Sequence, residues 1–480
     1  MKTQSPVKSY VLTPFKLRFL KKDNIKFFSL IDKQKWIFAM SFNQQSVQHK
    51  KLDTFSFFGY FWKTTNLRFI FATNFIEFLD LYFFIHCAPI IEKLFVSPEY
   101  QGHLAMASLY LAYGAPPLAS LFFAKIGDDW GRRITLLVSS GLMCGLTVML
   151  AVLPSYEKIG MASLIIFGVI RLLQTFSIAG EGACAWIFAY ESTPRFSQTA
   201  FTIPFISLGE GFAGLFSLGG FLLIANVLGF LGQETCIRFM FVLLAMIFGV
   251  IMWNRQKLKE TKDFLEARVR FGSQSVSFKE IYKNFSAQNK NWRCLIGIML
   301  LYPLGFTISY IFMGDLLKER LGFSDIDVIA HNAYIAGAEL TWDLACASIV
   351  FYLEDKKVLR RKFVCLILGI IPLICSFSAF FYLSSGTPSV VAITLIQILI
   401  MAGLNSAFII GNFYCHFKII GRFTFAASAW AIARILGLIP IYSMELIKNS
   451  GGFNYFLIFA VFSVIHLTCI SLSTEPKTVE

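Results

Sequence analysis

"AKIGDDWGRRITLL", residues 124–137, is a charged turn set between two long apolar runs. Gly131 permits a backbone shape that other residues resist. Asp128 is suited to accept hydrogen bonds from the neighbouring arginines and from a nearby helix N-terminus. Flanking it, residues 103–124 and 133–153 are each long enough to cross a bilayer as a helix. Whether this turn joins two membrane spans decides the fold.

Composition agrees that it does. The 480 residues are 56% hydrophobic and only 15% charged, with mean hydropathy +0.63. A soluble domain carries about a quarter charged residues. Apolar stretches of roughly 20 residues recur along most of the chain. The formal charge of +14 does not argue for nucleic acid, because the basic residues sit between the apolar runs. The 53 phenylalanines suit lipid-facing surfaces. The ten cysteines are scattered without a CxxC pair, as small buried hydrophobes rather than disulfides or metal ligands. No metal or cofactor is expected.

The pattern predicts twelve spans, at 67–91, 103–124, 133–153, 159–188, 199–225, 237–254, 293–315, 330–352, 363–383, 389–413, 423–446 and 453–472. Five domain segments follow. Residues 1–63 form a basic tail with no signal peptide, in which Met40 is an alternative start. Residues 64–254 and 293–472 form two six-helix bundles. Residues 255–292 link them, and 473–480 form a short tail. Basic residues concentrate on one set of loops: Lys125, Arg132 and Arg133, then Arg195, the linker, Lys356 to Lys362, and Lys418 with Arg422. The positive-inside rule puts that side and both termini in the cytoplasm.

The opening turn resembles the signature of the major facilitator superfamily, G-x-x-x-D-R/K-x-G-R-R/K, between helices 2 and 3. Asp128, Gly131, Arg132 and Arg133 match; Ala124 and Asp129 depart, and Gly127 fits one branch. The resemblance implies two six-helix bundles, an all-α membrane fold, and a cytoplasmic gate built from Gly127, Asp128, Gly131, Arg132 and Arg133. After the eighth span, "YLEDKKVLRRKF" (352–363) echoes the turn through Asp355, Lys356 and Arg360.

The fourth span reads "RLLQTFSIAGEGACAWIFAYESTPR" (171–195). It resembles the "R-L-L-Q-G-F-S-x-G-G-E" of the metabolite–proton symporter branch. "TNFIEFLDL" (73–81) keeps that branch's Asn, Glu and Asp at Asn74, Glu77 and Asp80. "KLKETKDFLE" (257–266) resembles its "L-E-E-T-P-x-F" without the proline. The branch includes proline/betaine and α-ketoglutarate proton symporters. Its osmosensing members carry a long C-terminal coiled coil, whereas this sequence stops soon after the last span.

Glu77 and Asp80 lie about 60° apart on one helical face. From Arg68 they lie about 14 and 18 Å deep, a depth that Arg171 on the antiparallel fourth span can reach. Intramembrane charges are functional candidates. Glu77, Asp80 and Arg171 are therefore expected to form a proton-coupling cluster, with Glu77 slightly favoured as the coupling acid. Asn74, Gln174, Ser177 and Glu181 are candidate substrate contacts, Glu181 also as gate or relay. In the second half, Glu339, Asp343 and Arg434 read as a salt-bridge set. Glu210, in "SLGEGFAGLFSLGG" (207–220), fits no branch pattern. His86 and His103 read as interface residues.

No zincin, Walker A, dinucleotide or nucleophile-elbow pattern occurs, so an enzyme is not expected. The expected function is proton symport of a small zwitterionic or anionic metabolite across a bacterial inner membrane. Its partners would be the substrate, protons and the bilayer. An uncoupled facilitator or exchanger, or a non-transporting sensor on the same fold, is the alternative.

Overall fold

A computed structural model describes residues 65–193, 198–271, 289–356, 358–386, 388–405, 407–417, 419 and 421–474. The tail 1–63, Arg195, Lys418 and residues 475–480 lie outside this set, as do the side chains of Asn74, Glu77 and Asp355. The described residues belong to one compact unit. Every regular element among them is helical.

The twelve spans appear in the expected order. They are Thr65–His86, Leu104–Gly114 with Pro116–Asp129, Arg132–Val152, Met161–Ile178 with Gly182–Ser192, Thr199–Leu228 and Gln233–Arg255. The second six run over 289–321, Asp325–Asp355, Arg361–Ser385, Val390–Leu404 with Ala407–Tyr414, Arg422–Asn449 and Tyr455–Leu472. Among the described residues, ten helices are long and apolar enough to cross a membrane, or eleven if the bent second span counts as one. Span 1, with its intramembrane acids, completes the twelve. Val152, Leu223, Ile367 and Ile439 are exposed around the outside, which suits lipid as the solvent.

Several spans depart from a plain helix, each for a local reason. Span 2 bends by 41° beside Pro116 and Pro117, which open its second helix. Span 1 stops at His86, short of the expected residue 91, and a separate helix, Ala88–Phe95, follows. Span 7 widens into a π-helix over Thr307–Phe312. Two amides cap carbonyls in that turn: Gln397 Nε2 donates to the Ser309 carbonyl at 2.6 Å, and Asn332 Nδ2 to that of Tyr310 at 3.2 Å. Span 8 starts earlier than expected, at Asp325. A capping box sets this start: Asp327 N donates to Ser324 Oγ, and Ser324 N to Asp327. Part of the expected linker is also helical, Lys262–Phe271.

The halves pack closely where span 5 crosses span 8. A Cβ on Gly214 would lie 2.9 Å from Ala336 Cβ and 3.0 Å from the Tyr82 ring. The "GFAGLFSLGG" run thus allows close approach of helices belonging to different halves.

Candidate functional site

A cavity lies between the halves, with about 1140 Å³ of non-atom space, its openings included. Its lining combines aromatic faces (Phe78, Tyr113, Trp186, Tyr302, Trp430) with Asp80, Arg171, Glu210, Glu339, Asp343 and Arg434. Contacts between the halves narrow it at both ends. On the side of the basic loops, called the basic face below, Asp128 meets Thr424 and Glu191 meets Arg422. Toward the opposite face, Tyr110 donates to Glu445, Tyr82 donates to Glu339, and Asn332 meets His86.

Arg171 and Asp80 come together from spans 4 and 1. Arg171 Nη1 donates to Asp80 Oδ2 at 2.8 Å and Oδ1 at 3.1 Å, and to Gln174 Oε1 at 2.8 Å. Both charges are nearly sealed from solvent, at 4% and 1% exposed. The guanidinium lies over the Phe84 ring, Cζ 3.4 Å from its centroid. An opposite charge, a side-chain amide and an aromatic face together make this buried pair tolerable. Glu77 lies on the same helix one turn away, with its side chain outside the described set.

The other branch positions on span 4 turn inward, away from the cavity. Gln174 Nε2 donates to Thr147 Oγ1 at 3.0 Å, so its amide bridges Arg171 to span 3. Ser177 Oγ donates to the Ser139 carbonyl at 2.5 Å. Glu181 accepts from Arg255 Nη1 and from Ser139 Oγ, both at 2.7 Å. All three are fully or almost fully buried. None of the three lines this cavity: Gln174 bridges Arg171 to span 3, Ser177 ties spans 3 and 4, and Glu181 pairs with Arg255. Thr175 and Ile178 are the span 4 neighbours that line the cavity.

In the second half, the expected salt-bridge set takes another form. Glu339 accepts from Tyr310 at 2.9 Å and Tyr82 at 3.4 Å. Asp343 accepts from Asn405 Nδ2 at 2.7 Å, at the break in span 10. Arg434 lies over the rings of Tyr113 and Trp430. Phenols and an amide therefore hold the two acids. Nothing in span counting or periodicity points to Tyr82, Tyr310 or Asn405, because these contacts join helices distant in sequence.

The opening turn forms a dense latch. Gly131 adopts φ +109°, and a Cβ there would strike the Glu260 carboxylate. Arg132 is wholly buried; it donates to the Gly127 carbonyl at 2.9 Å, to Glu191 at 3.3 Å and to the Ile419 carbonyl at 3.3 Å. It also pairs with Asp128 at 3.4 Å. Asp128 accepts from Thr424 N at 3.1 Å and Oγ1 at 2.6 Å, where span 11 begins. Glu191 pairs with both Arg132 and Arg422 (3.1 Å) and accepts from Thr261 at 2.7 Å. Arg133 faces the linker instead: its backbone N–H donates to Glu260 at 3.0 Å and its side chain to the Gln256 carbonyl at 2.9 Å. The hub, Glu191, went unmarked in the sequence; its one signal was an acid closing a span among basic loops.

Two linker acids feel this crowding. Burial pushes the Glu260 carboxyl above the usual range, opposed by main-chain donation from Arg133 and Thr261. Burial and then the Glu191 charge raise Asp263, opposed by Arg422. Both therefore contribute stability that is complete in acid and is lost as pH rises through their raised range. In the second-half echo, Arg361 grips Glu354 at 2.7 Å and donates to Thr199 at 2.9 Å in the other half.

No protein-family model matches the chain. Among curated proteins, it is 26% identical over 416 residues to a proline/betaine transporter of Escherichia coli strain K12, covering 82% of this chain and 80% of the relative. It is 25% identical over 422 residues to a putative metabolite transport protein of Haemophilus influenzae, covering 84% and 94%. Among solved structures, a double-tryptophan mutant of XylE superposes with TM-score 0.70 at 14% identity, covering 88% of this chain and 98% of that one. These curated relatives are named as transporters, not as enzymes. In its helices and its loop signature the chain is similar to these transporters, and it shares the fold of solved major facilitator superfamily proteins.

Proposed function

We propose that this chain is a proton-coupled symporter that moves a small zwitterionic or anionic metabolite by alternating access. The Asp80–Arg171 pair carries the reading: two charges that line a cavity gripped by inter-half contacts on both sides. A proton taken by Asp80 frees the Arg171 guanidinium, which then binds a substrate carboxylate. Aromatic faces such as Tyr302 and Trp430 suit an ammonium group at the other end of the substrate. Release on the far side lets Arg171 close again on the bare carboxylate. The relatives' names make proline and glycine betaine the first substrates to try. The membrane is a bacterial inner membrane, with both termini and the basic face in the cytoplasm.

Purified protein in liposomes tests this. With an inward proton gradient, wild type should accumulate labelled proline or glycine betaine. Asp80→Asn should abolish accumulation and keep counterflow exchange. Equal accumulation by the variant would remove Asp80 from coupling. Uptake indifferent to the gradient in wild type would make the protein a facilitator.

A further inference from the structure

Besides Asp80, the cavity holds a second pair of acids, Glu339 and Asp343. Glu339 and Asp343 stand one helical turn apart on span 8, at 7% and 8% exposed. Their partners are the two phenols and Asn405. Among the described residues, no cation stands within ion-pair distance of either acid. Three other buried acids of the helical bundle do meet arginine: Asp80 with Arg171, Glu181 with Arg255, Glu191 with Arg132. Two carboxylates one helical turn apart, held by neutral donors, repel each other, and one shared proton relieves that repulsion.

A second observation lies directly above them. His86, the last residue of the span 1 helix, packs on Tyr82 and Tyr310, its ring centroid 5.6 and 5.3 Å from theirs. The Asn332 amide nitrogen sits 3.1 Å from His86 Nδ1. An amide nitrogen only donates, so Nδ1 accepts and the ring hydrogen is assigned to Nε2. Among the described residues that buried atom has no partner, in a side chain 8% exposed. A buried ring N–H without an acceptor is costly. Here the His86 ring packs on the two phenol rings whose hydroxyls hold Glu339. The π-helical turn of span 7 presents Tyr310, and its carbonyls are tied down by Gln397 and Asn332. Such turns are frequent at functional sites.

We infer that Glu339 and Asp343 form a proton-binding site of their own, loaded from the opposite face past His86, Tyr82 and Tyr310. One proton leaves bulk water for the carboxylate pair, and the same proton later returns to water. No other bond changes. Tyr82 and His86 belong to the first half, and Glu339 and Asn332 to the second, so loading bears directly on closure at that face. A pair holding one proton is cheaper to seal than a bare pair. The remaining charged groups around it are Glu210 on span 5, Arg434 on span 11 and the Asp80–Arg171 pair, all lining the same cavity. Lys318 acts on His86 from span 7. The link to closure rests on the transport reading; the proton site itself does not require Asp80.

Infrared titration of the purified full-length protein, with no substrate present, tests it. Wild type should show a protonated-carboxyl band near neutral pH. Glu339→Gln and Asp343→Asn should each remove it, and Asp80→Asn should keep it. Tyr310→Phe leaves both acids in place and removes a donor to the charged form. It should move the band's midpoint to higher pH by about one unit. A band that survives both acid variants, or a midpoint unmoved in Tyr310→Phe, would overturn the site. So would a band abolished by sodium chloride but not by choline chloride, which would give the pair to a sodium ion. Because no substrate is used, failed uptake by Asp80→Asn or by wild type leaves this result standing.

Discussion

At the scale of single residues, buried charge is the organising problem of this protein. Arg132, Arg171 and Arg255 are each almost wholly buried and each meets a carboxylate. The Glu181–Arg255 pair shows how partner geometry separates structure from transport. Removing one member strands the other in a medium that cannot solvate it, at a cost of about 3–5 kcal/mol. Glu181→Ala or Arg255→Met alone should therefore lower the melting temperature of the solubilised protein sharply. The combined variant Glu181→Leu with Arg255→Met should regain most of the loss and keep uptake. Stability restored without uptake would return Glu181 to a transport role. The branch resemblance marked Glu181, Gln174 and Ser177 as a group. Their separate tasks depend on Arg255, Thr147 and Ser139, which lie on other helices.

At the scale of elements, the departures from ideal helices fall beside the cavity. The π-helical stretch of span 7 holds Tyr310, and the break in span 10 frees Asn405 to reach Asp343. At the span 5–span 8 crossing the halves approach closely, and Gly214 permits it. Gly214→Val puts new atoms against Ala336 and the Tyr82 ring. Overpacking of this kind costs about 1–3 kcal/mol. Since the two helices belong to different halves, the cost falls on the arrangement that closes the opposite face. Uptake should drop by about tenfold while the solubilised protein stays folded; unchanged uptake would show that this crossing opens little during the cycle. Apolar length predicts such a helix well. It does not reveal which glycine meets which neighbour.

At the scale of the whole molecule, two sets of contacts hold the halves together. The basic face uses charge: Glu191, Arg132, Arg422, Asp128 and the start of span 11. Toward the opposite face, phenols, amides and a histidine do the work. Breaking one set should favour opening on its own side. Glu191→Gln weakens two arginine contacts at once, and hydrogen bonds to charged groups are worth about 1.5–3 kcal/mol each. Spin labels on the loops between spans 2 and 3 and between spans 10 and 11 should then report longer distances in most molecules. No change would mean that Asp128 and Thr424 carry the latch alone.

Membrane residence, the number and order of spans, the latch turn and the meeting of Arg171 with an acid of span 1 were all legible in the chain. Each is written in local terms: runs of apolar residues, a glycine turn, and depth counted along a helix. Tertiary structure alone decided which acid meets Arg171 among the described side chains, and it paired Glu354 with Arg361. It made Glu191 the hub of the latch and left Glu339 and Asp343 to phenols and an amide. The physical reason is that a buried charge is settled by whatever the other helices place beside it, and periodicity along one helix is blind to that.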